Sequence, residues 1–394
     1  MNIDLHRCLL KDEKMKILFI ATADCKYGAS KTQIDMIMEL KENYGVNPVV
    51  LTKKHNDLND LCDRLQIENY FYWYRDIMSG SAYSNPVLNI LKHIVKYMVY
   101  VWGGITQHFI EHCGISMDEI DMIHSNHIRI DIGVYLSKKY DIPHIWHIKE
   151  LNCGHVRIIH YKPRCYQYIN HGADAFIAVT KQVKEYWNKA GLDADKIHVI
   201  YEGIDAKKFL PKKAQNRDKL KMICVGRIEK SKGQLEILKA IKRLPQEVKE
   251  NITLDLFGDA YPDYLHHLKE FIKKEHMEES IHFGGYCENI HEKLLDYDIG
   301  ILSSKGDAFG TVTAEYMAAG LLAIATYTEL VEHNVTGLRY EYGDIEQLAN
   351  HIAFAFYHRE KAQKLALEGM KKIREKFTIQ NHARHVYELY SRFC

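Results

Sequence analysis

Short apolar runs alternate along the chain with longer amphipathic stretches. In the first half the runs are Lys16–Ala21, Asn47–Leu51, Met122–His124, His144–His147, Ala175–Val179 and His198–Tyr201. Between them, segments such as Lys31–Asn43 and Lys181–Ala190 carry the 3.6-residue period of helices that bury one face. The rhythm pauses over Asp205–Asp218, a polar, Lys-rich stretch containing Pro211, and restarts at Lys221–Val225. It continues through Thr253–Phe257, Ile281–Phe283, Ile299–Ser303 and Leu322–Thr326. Strand–helix alternation of this kind predicts βαβ units and parallel sheets. The expected architecture is α/β, with two doubly wound, Rossmann-like domains facing an interdomain cleft. The first spans 1–210, with 1–14 as a peripheral leader, and the second begins at 211.

The 394 residues suffice for two cores. With 53 basic against 52 acidic residues, no overall electrostatic footprint points to nucleic acid. Nine cysteines without a C-x-x-C pair argue against a zinc ribbon or disulfide framework and for reduced thiols in a cytoplasmic protein. The leader has no apolar core of the signal-peptide kind. None of the 23 histidines falls in an H-E-x-x-H pattern, so no metal site is expected. Within Pro86–Gly114, Lys92 and Lys96 interrupt an otherwise apolar helix, which excludes a membrane span. A helix packed on the sheet is the favoured reading, and peripheral contact with a membrane surface is the alternative.

Open α/β sheets bind ligands beyond the carboxyl ends of their strands, so the loops there carry the chemistry. Gly28, in the loop Ala23–Ser30 before a helix, allows close backbone approach to an anion, although the loop is neither G-x-G-x-x-G nor a P-loop. Arg227 and Lys232 follow a buried strand, with Gly226 and Gly233 keeping the turn tight, and could hold a diphosphate. The backbone N–H groups of Phe309, Gly310 and Thr311, at a helix start, could cap the same phosphates. Asp307 and Glu315 could accept hydrogen bonds from sugar and ribose hydroxyls. Glu315 stands in an otherwise apolar helix, where an unpartnered carboxylate is costly to bury. His147 and Glu150 follow another strand and could serve an acceptor, with a packed histidine as the alternative. His124 and Asn126, at a further strand end, join them as acceptor-side candidates.

Taken together, these residues resemble a family-4 retaining glycosyltransferase of GT-B architecture, a group 1 enzyme of the bacterial surface-polysaccharide type. The resemblance runs from about Met15 to the C-terminus. It rests on Val225-Gly226-Arg227-Ile228, Ser231-Lys232-Gly233, the acidic motif ending at Glu315, Ile200–Asp205 and His333–Leu338. It implies that Arg227 and Lys232 hold the donor diphosphate, Glu315 the ribose and Asp307 the transferred sugar. Tyr286 would pack on the base, Gly28 would lie under the donor, and His147 would contact sugar or acceptor. The final helix, 380–394, would cross back onto the N-terminal domain, leaving 211–379 as the donor domain. The expected reaction moves a sugar from a UDP- or GDP-sugar to a saccharide or lipid-linked acceptor with retention, needing neither metal nor other cofactor. A lipid-linked acceptor would bring the enzyme to the inner face of the membrane. Two departures stand out: Asp307 replaces the family's usual Glu, and Ala325–Leu330 is about four residues shorter than in relatives. They keep open a catalytically impaired nucleotide-sugar-binding partner subunit, and a nucleotide-sugar 2-epimerase is a third reading.

Overall fold

The computed structural model describes residues 14–21, 28–80, 86–151, 158–209 and 219–393. Most of the expected leader, most of the loop before Gly28 and the Pro211 segment lie outside them. The chain divides into two compact units, Met1–Tyr201 with Gln380–Cys394, and Glu202–Ile379. The first unit ends at Tyr201 because the backbone of Ile204 pairs instead with Phe377 and Ile379, at 3.0 and 2.9 Å.

The first unit contains β1 (Lys16–Ala21), β2 (Asn47–Thr52), β3 (Glu68–Phe71), β4 (Met78–Gly80), β5 (Met122–Ser125), β6 (His144–Ile148), β7 (Ile158–His160), β8 (Ala175–Ala178) and β9 (Ile197–Val199). Seven of these strands form a parallel sheet in the order β3-β2-β1-β5-β6-β8-β9. Its central strands are apolar on both faces because helices cover both sides: Ile17 to Ile20 are fully buried. The half-exposed edge strand β3, Glu-Asn-Tyr-Phe, has no such run, and the antiparallel pair β4–β7 is three residues long. The C-terminal helix Ile379–Tyr390 belongs mostly to this unit and buries Ala383, Val386 and Tyr390.

The second unit holds β10 (Leu220–Val225), β11 (Ile252–Phe257), β12 (Ile281–Gly285), β13 (Ile299–Leu302), β14 (Leu322–Ala325) and β15 (Leu338–Arg339). They make a parallel sheet in the order β12-β11-β10-β13-β14-β15. Met222, Leu254, Ile301 and Ile324 meet Ile237 and Ile352 from the covering helices in one core. The second parallel sheet establishes the doubly wound class, and strand order locates two reversals. In the first sheet the winding turns between β1 and β5, in the second between β10 and β13. Such switch points open a crevice at the carboxyl ends of the strands.

The helix over Pro86–Thr106 departs from the favoured reading. It does not lay its apolar face on the sheet. Leu88, Ile94, Met98 and Trp102 point outward and are at least half exposed, because the side that meets the body is the polar one.

Candidate functional site

The loop after β10 and the loop after β13 leave adjacent strands at the second switch point, and several contacts join them. Lys232 Nζ lies 3.3 Å from Asp307 Oδ2. The Lys305 N–H donates to the Ser231 carbonyl at 3.1 Å. Gly233, at φ +69°, starts the helix Gln234–Arg243 so close to β13 that an added Cβ would sit 2.0 Å from the Ser303 carbonyl oxygen. Only glycine supplies both that conformation and that clearance. Arg227 is steered by Glu229, whose Oε2 is 3.7 Å from Nη1, and its guanidinium lies 5.9 Å from the centre of the Tyr261 ring.

From β13 the chain runs through Asp307 and the buried Phe309 to Gly310, at φ +83°, which opens the helix Thr311–Ala318. The helix N-terminus supplies backbone N–H groups and the positive end of a dipole. Tyr316 fixes this helix to the end of β10, its hydroxyl accepting from the Val225 N–H at 2.6 Å. Burial pushes that phenol's pKa well up, so it stays neutral. Glu315, one residue earlier, is only partly buried. The segment after β14 folds back on the same loop. Thr326 Oγ1 donates to the Ser304 carbonyl at 2.8 Å and Thr328 Oγ1 to the Phe309 carbonyl at 3.0 Å. Tyr286 is half exposed just past β12, two strands from β10, which places its backbone about 10 Å from that of Gly226 at ordinary strand spacing.

Three buried polar side chains missed by sequence reasoning lie beside these loops. Gln234 Nε2 donates to the Arg227 carbonyl at 3.0 Å, but its Oε1 finds no partner among the described residues. The same holds for Ser304 Oγ and Thr313 Oγ1. Buried polar atoms left unsatisfied are uncommon and call for a ligand or a water. The available signal was polarity at helix starts and strand ends inside apolar stretches.

At the first switch point, Gly28 begins the helix Gly28–Asn43, while residues 22–27 lie outside the described ones. Asn126 Nδ2 donates to Gln33 Oε1 of that helix at 2.7 Å, and Asn126 Oδ1 has no partner among the described residues. His124 and His147 are fully buried side by side, His147 Nδ1 being 3.2 Å from His124 Nε2. The Tyr390 hydroxyl, from the C-terminal helix, lies 2.6 Å from His124 Nδ1. Burial and the nearby Lys149 cation hold both imidazoles neutral, far below their ordinary pKa. His147 Nε2 has no partner among the described residues. Glu150 pairs with His127 and accepts from the Ile128 N–H at 3.3 Å. Burial opposes its charge, but the charge and hydrogen bond of His127, together with Arg129 and its own backbone N–H, outweigh it and keep the carboxyl below its usual range.

Among the described residues, no cluster of three or more His, Cys, Asp or Glu is arranged to hold a metal ion, and no helix is long and apolar enough to cross a membrane. Two parallel sheets, each with charged or polar loops at its reversal, define a doubly wound protein with the GT-B architecture. The family model for glycosyl transferases group 1 matches residues 205–372, and that for glycosyltransferase family 4 matches 63–208. Together the two glycosyltransferase models span residues 63–372 of the chain. It is 26% identical over 160 residues to N-acetyl-alpha-D-glucosaminyl L-malate synthase of Bacillus anthracis, a match covering 40% of this chain and 41% of the relative's own length. It is 22% identical over 353 residues to lipopolysaccharide 1,6-galactosyltransferase of Salmonella typhimurium, covering 86% of this chain and 89% of that one. The crystal structure of Anabaena HepE in complex with UDP and glucose superposes with a TM-score of 0.77 at 19% identity, over 96% of this chain and all of that one.

Proposed function

We propose that the protein transfers a sugar, with retention, from a UDP- or GDP-sugar to a saccharide or lipid-linked acceptor in the assembly of a surface glycoconjugate. The observation that carries the reading is the joining of Lys232, on the loop that also bears Arg227, to Asp307 across the β10–β13 switch point. Two cations and a helix N-terminus at one crevice suit a diphosphate leaving group and offset its growing charge. Glu315 then binds the ribose and Asp307 the sugar, with Tyr286 beside the base. Gln234, Ser304 and Thr313 supply polar atoms that bound donor or water satisfies. The departing phosphate helps deprotonate the acceptor on the face it leaves, so the anomeric configuration is kept and no metal takes part. His124, Asn126 and Glu150 support the acceptor end, where His147 acts through Nε2 with its other nitrogen fixed by His124. The fold shared with a protein solved with UDP makes UDP the first nucleotide to test.

The decisive experiment is thermal stabilisation by UDP, GDP, ADP and their sugar conjugates, beside an Arg227→Ala variant, followed by a turnover assay with NMR of the product anomer. A selective shift lost in the variant, then a retained anomer in product formed with EDTA present, is expected. No shift with any nucleotide overturns the reading. Binding without turnover over a broad acceptor panel selects the catalytically impaired partner subunit instead. Asp307, one methylene short and already paired with Lys232, is the feature that favours that second reading.

A further inference from the structure

The helix Pro86–Thr106 is inside out. Its inward stripe is polar: the Tyr161 hydroxyl lies 3.4 Å from His93 Nδ1, and Arg75 Nη1 donates to the Tyr100 carbonyl at 3.1 Å. Arg75 also stacks on the Tyr100 ring at 4.2 Å and is anchored by Asp131, 3.0 Å from Nη2. Gly103 is buried against the Arg75 side chain, where an added Cβ would come within 2.6 Å. Every large apolar side chain described on this helix except Tyr100 faces outward, from Val99 at 45% exposed to Trp102 at 62%. At 100° per residue they sweep about 200° of the helix circumference, about twice the stripe that a helix buries against a protein core. A partner helix or a second copy covers one side of such a cylinder. A continuous apolar phase covers all of it.

Charge and ring chemistry select which phase. Between Asp76 and Glu111 the sequence holds no carboxylate, but it holds Lys92 and Lys96. Lys92 lies at the margin of the apolar arc, about 20° beyond Val99, whereas Lys96 falls on the inward side between Gly103 and Tyr100. Phe71 and Trp73 extend the exposed apolar surface beyond the helix, held there by Tyr72, whose hydroxyl donates to the Thr106 carbonyl at 2.5 Å. Lys53 lies 5.9 Å from the centre of the Trp73 ring. A lysine that snorkels from the margin of an apolar face and Trp and Tyr rings beside it mark a helix lying in a bilayer interface. We propose that the outward face of Pro86–Thr106 lies in the headgroup–acyl boundary of an anionic membrane, with Lys92 at its margin reaching the lipid phosphates. The inference stands without the transfer reading, because membrane binding is read without turnover.

The test is flotation of the full chain with vesicles of phosphatidylcholine alone, or of phosphatidylcholine mixed with phosphatidylglycerol. Strong flotation with the mixed vesicles and little with the neutral ones is expected. A K92Q variant should partition about 5-fold less into the mixed vesicles. An I94E/W102E variant should remain unbound while keeping the parent's melting midpoint, which separates lost binding from lost fold. Failure of the parent to float with the mixed vesicles overturns the proposal, as does undiminished flotation of I94E/W102E. Sedimentation velocity covers the rival occupant. A dimer that I94E/W102E dissociates, without flotation of the parent, assigns the face to a second copy of this chain.

Discussion

Lys232 and Asp307 separate function from stability at the level of single residues. Their ion pair is partly exposed, with side-chain accessibilities of 34% and 24%, so it contributes at most about 1 kcal/mol to folding. Lys232→Ala should therefore move the urea midpoint little while lowering turnover about 10²–10³-fold, the loss expected for one charged contact to a transition state. Gly233→Ala should do both, since strain of about 1–3 kcal/mol at a left-handed position adds to the clash with Ser303. Denaturation beside nucleotide titration checks the pair of variants. The buried histidines set a pH limit. Burial pushes His144 down to about 4, and its Nδ1 donates to the Gly172 carbonyl at 2.6 Å while Nε2 accepts from Ser125 Oγ at 2.8 Å. His124 and His147 are depressed in the same direction. Because the unfolded imidazoles titrate near 6.5, the stabilisation from keeping them neutral is complete above that pH. It is lost as pH falls from about 6.5 toward the folded values, by up to about 1.4 kcal/mol per pH unit for each group. Urea midpoints from pH 7 to 5 should fall, with a shallower slope in a His144→Asn variant.

At the scale of elements, strands buried on both faces were legible, because covering helices leave continuous apolar runs such as Lys-Ile-Leu-Phe-Ile-Ala. The edge strand β3 was not, since a half-exposed strand has no reason to be uniformly apolar. Loops bearing Arg227, Lys232 and Asp307 were found because residue type and position after a strand suffice to find them. The complete burial of His147 was not, because its neighbours come from His382 and from His124 under Tyr390, far along the chain. Likewise, Lys92 and Lys96 reveal that one side of Pro86–Thr106 is polar, but Arg75 and Asp131 decide which side faces inward. The C-terminal helix offers the corresponding stability test. Leu389 is buried, so Leu389→Ala should destabilise the first unit by about 2–5 kcal/mol, measured by urea denaturation.

For the whole molecule, the donor candidates other than Gly28 fall in the unit Glu202–Ile379, whereas the acceptor-side candidates fall in the other. A nucleotide at 100 times its dissociation constant should stabilise the unit that binds it by about 2.7 kcal/mol. Hydrogen exchange with and without UDP should show the added protection concentrated at 226–234 and 303–315, around Arg227 and Asp307.

The chain leaves the first unit at Tyr201 and rejoins it at Gln380, while Gly203 lies so close to Thr378 that an added Cβ would be 2.2 Å from its carbonyl oxygen. The second unit is thus an insertion whose two ends touch. On a ribosome, that inserted unit has its full sequence before the first does. The nascent N-terminal sheet emerges early, yet His124 waits for Tyr390 throughout the synthesis of everything between. An earlier-made half that is completed last is the part of this molecule most in need of a chaperone's cover.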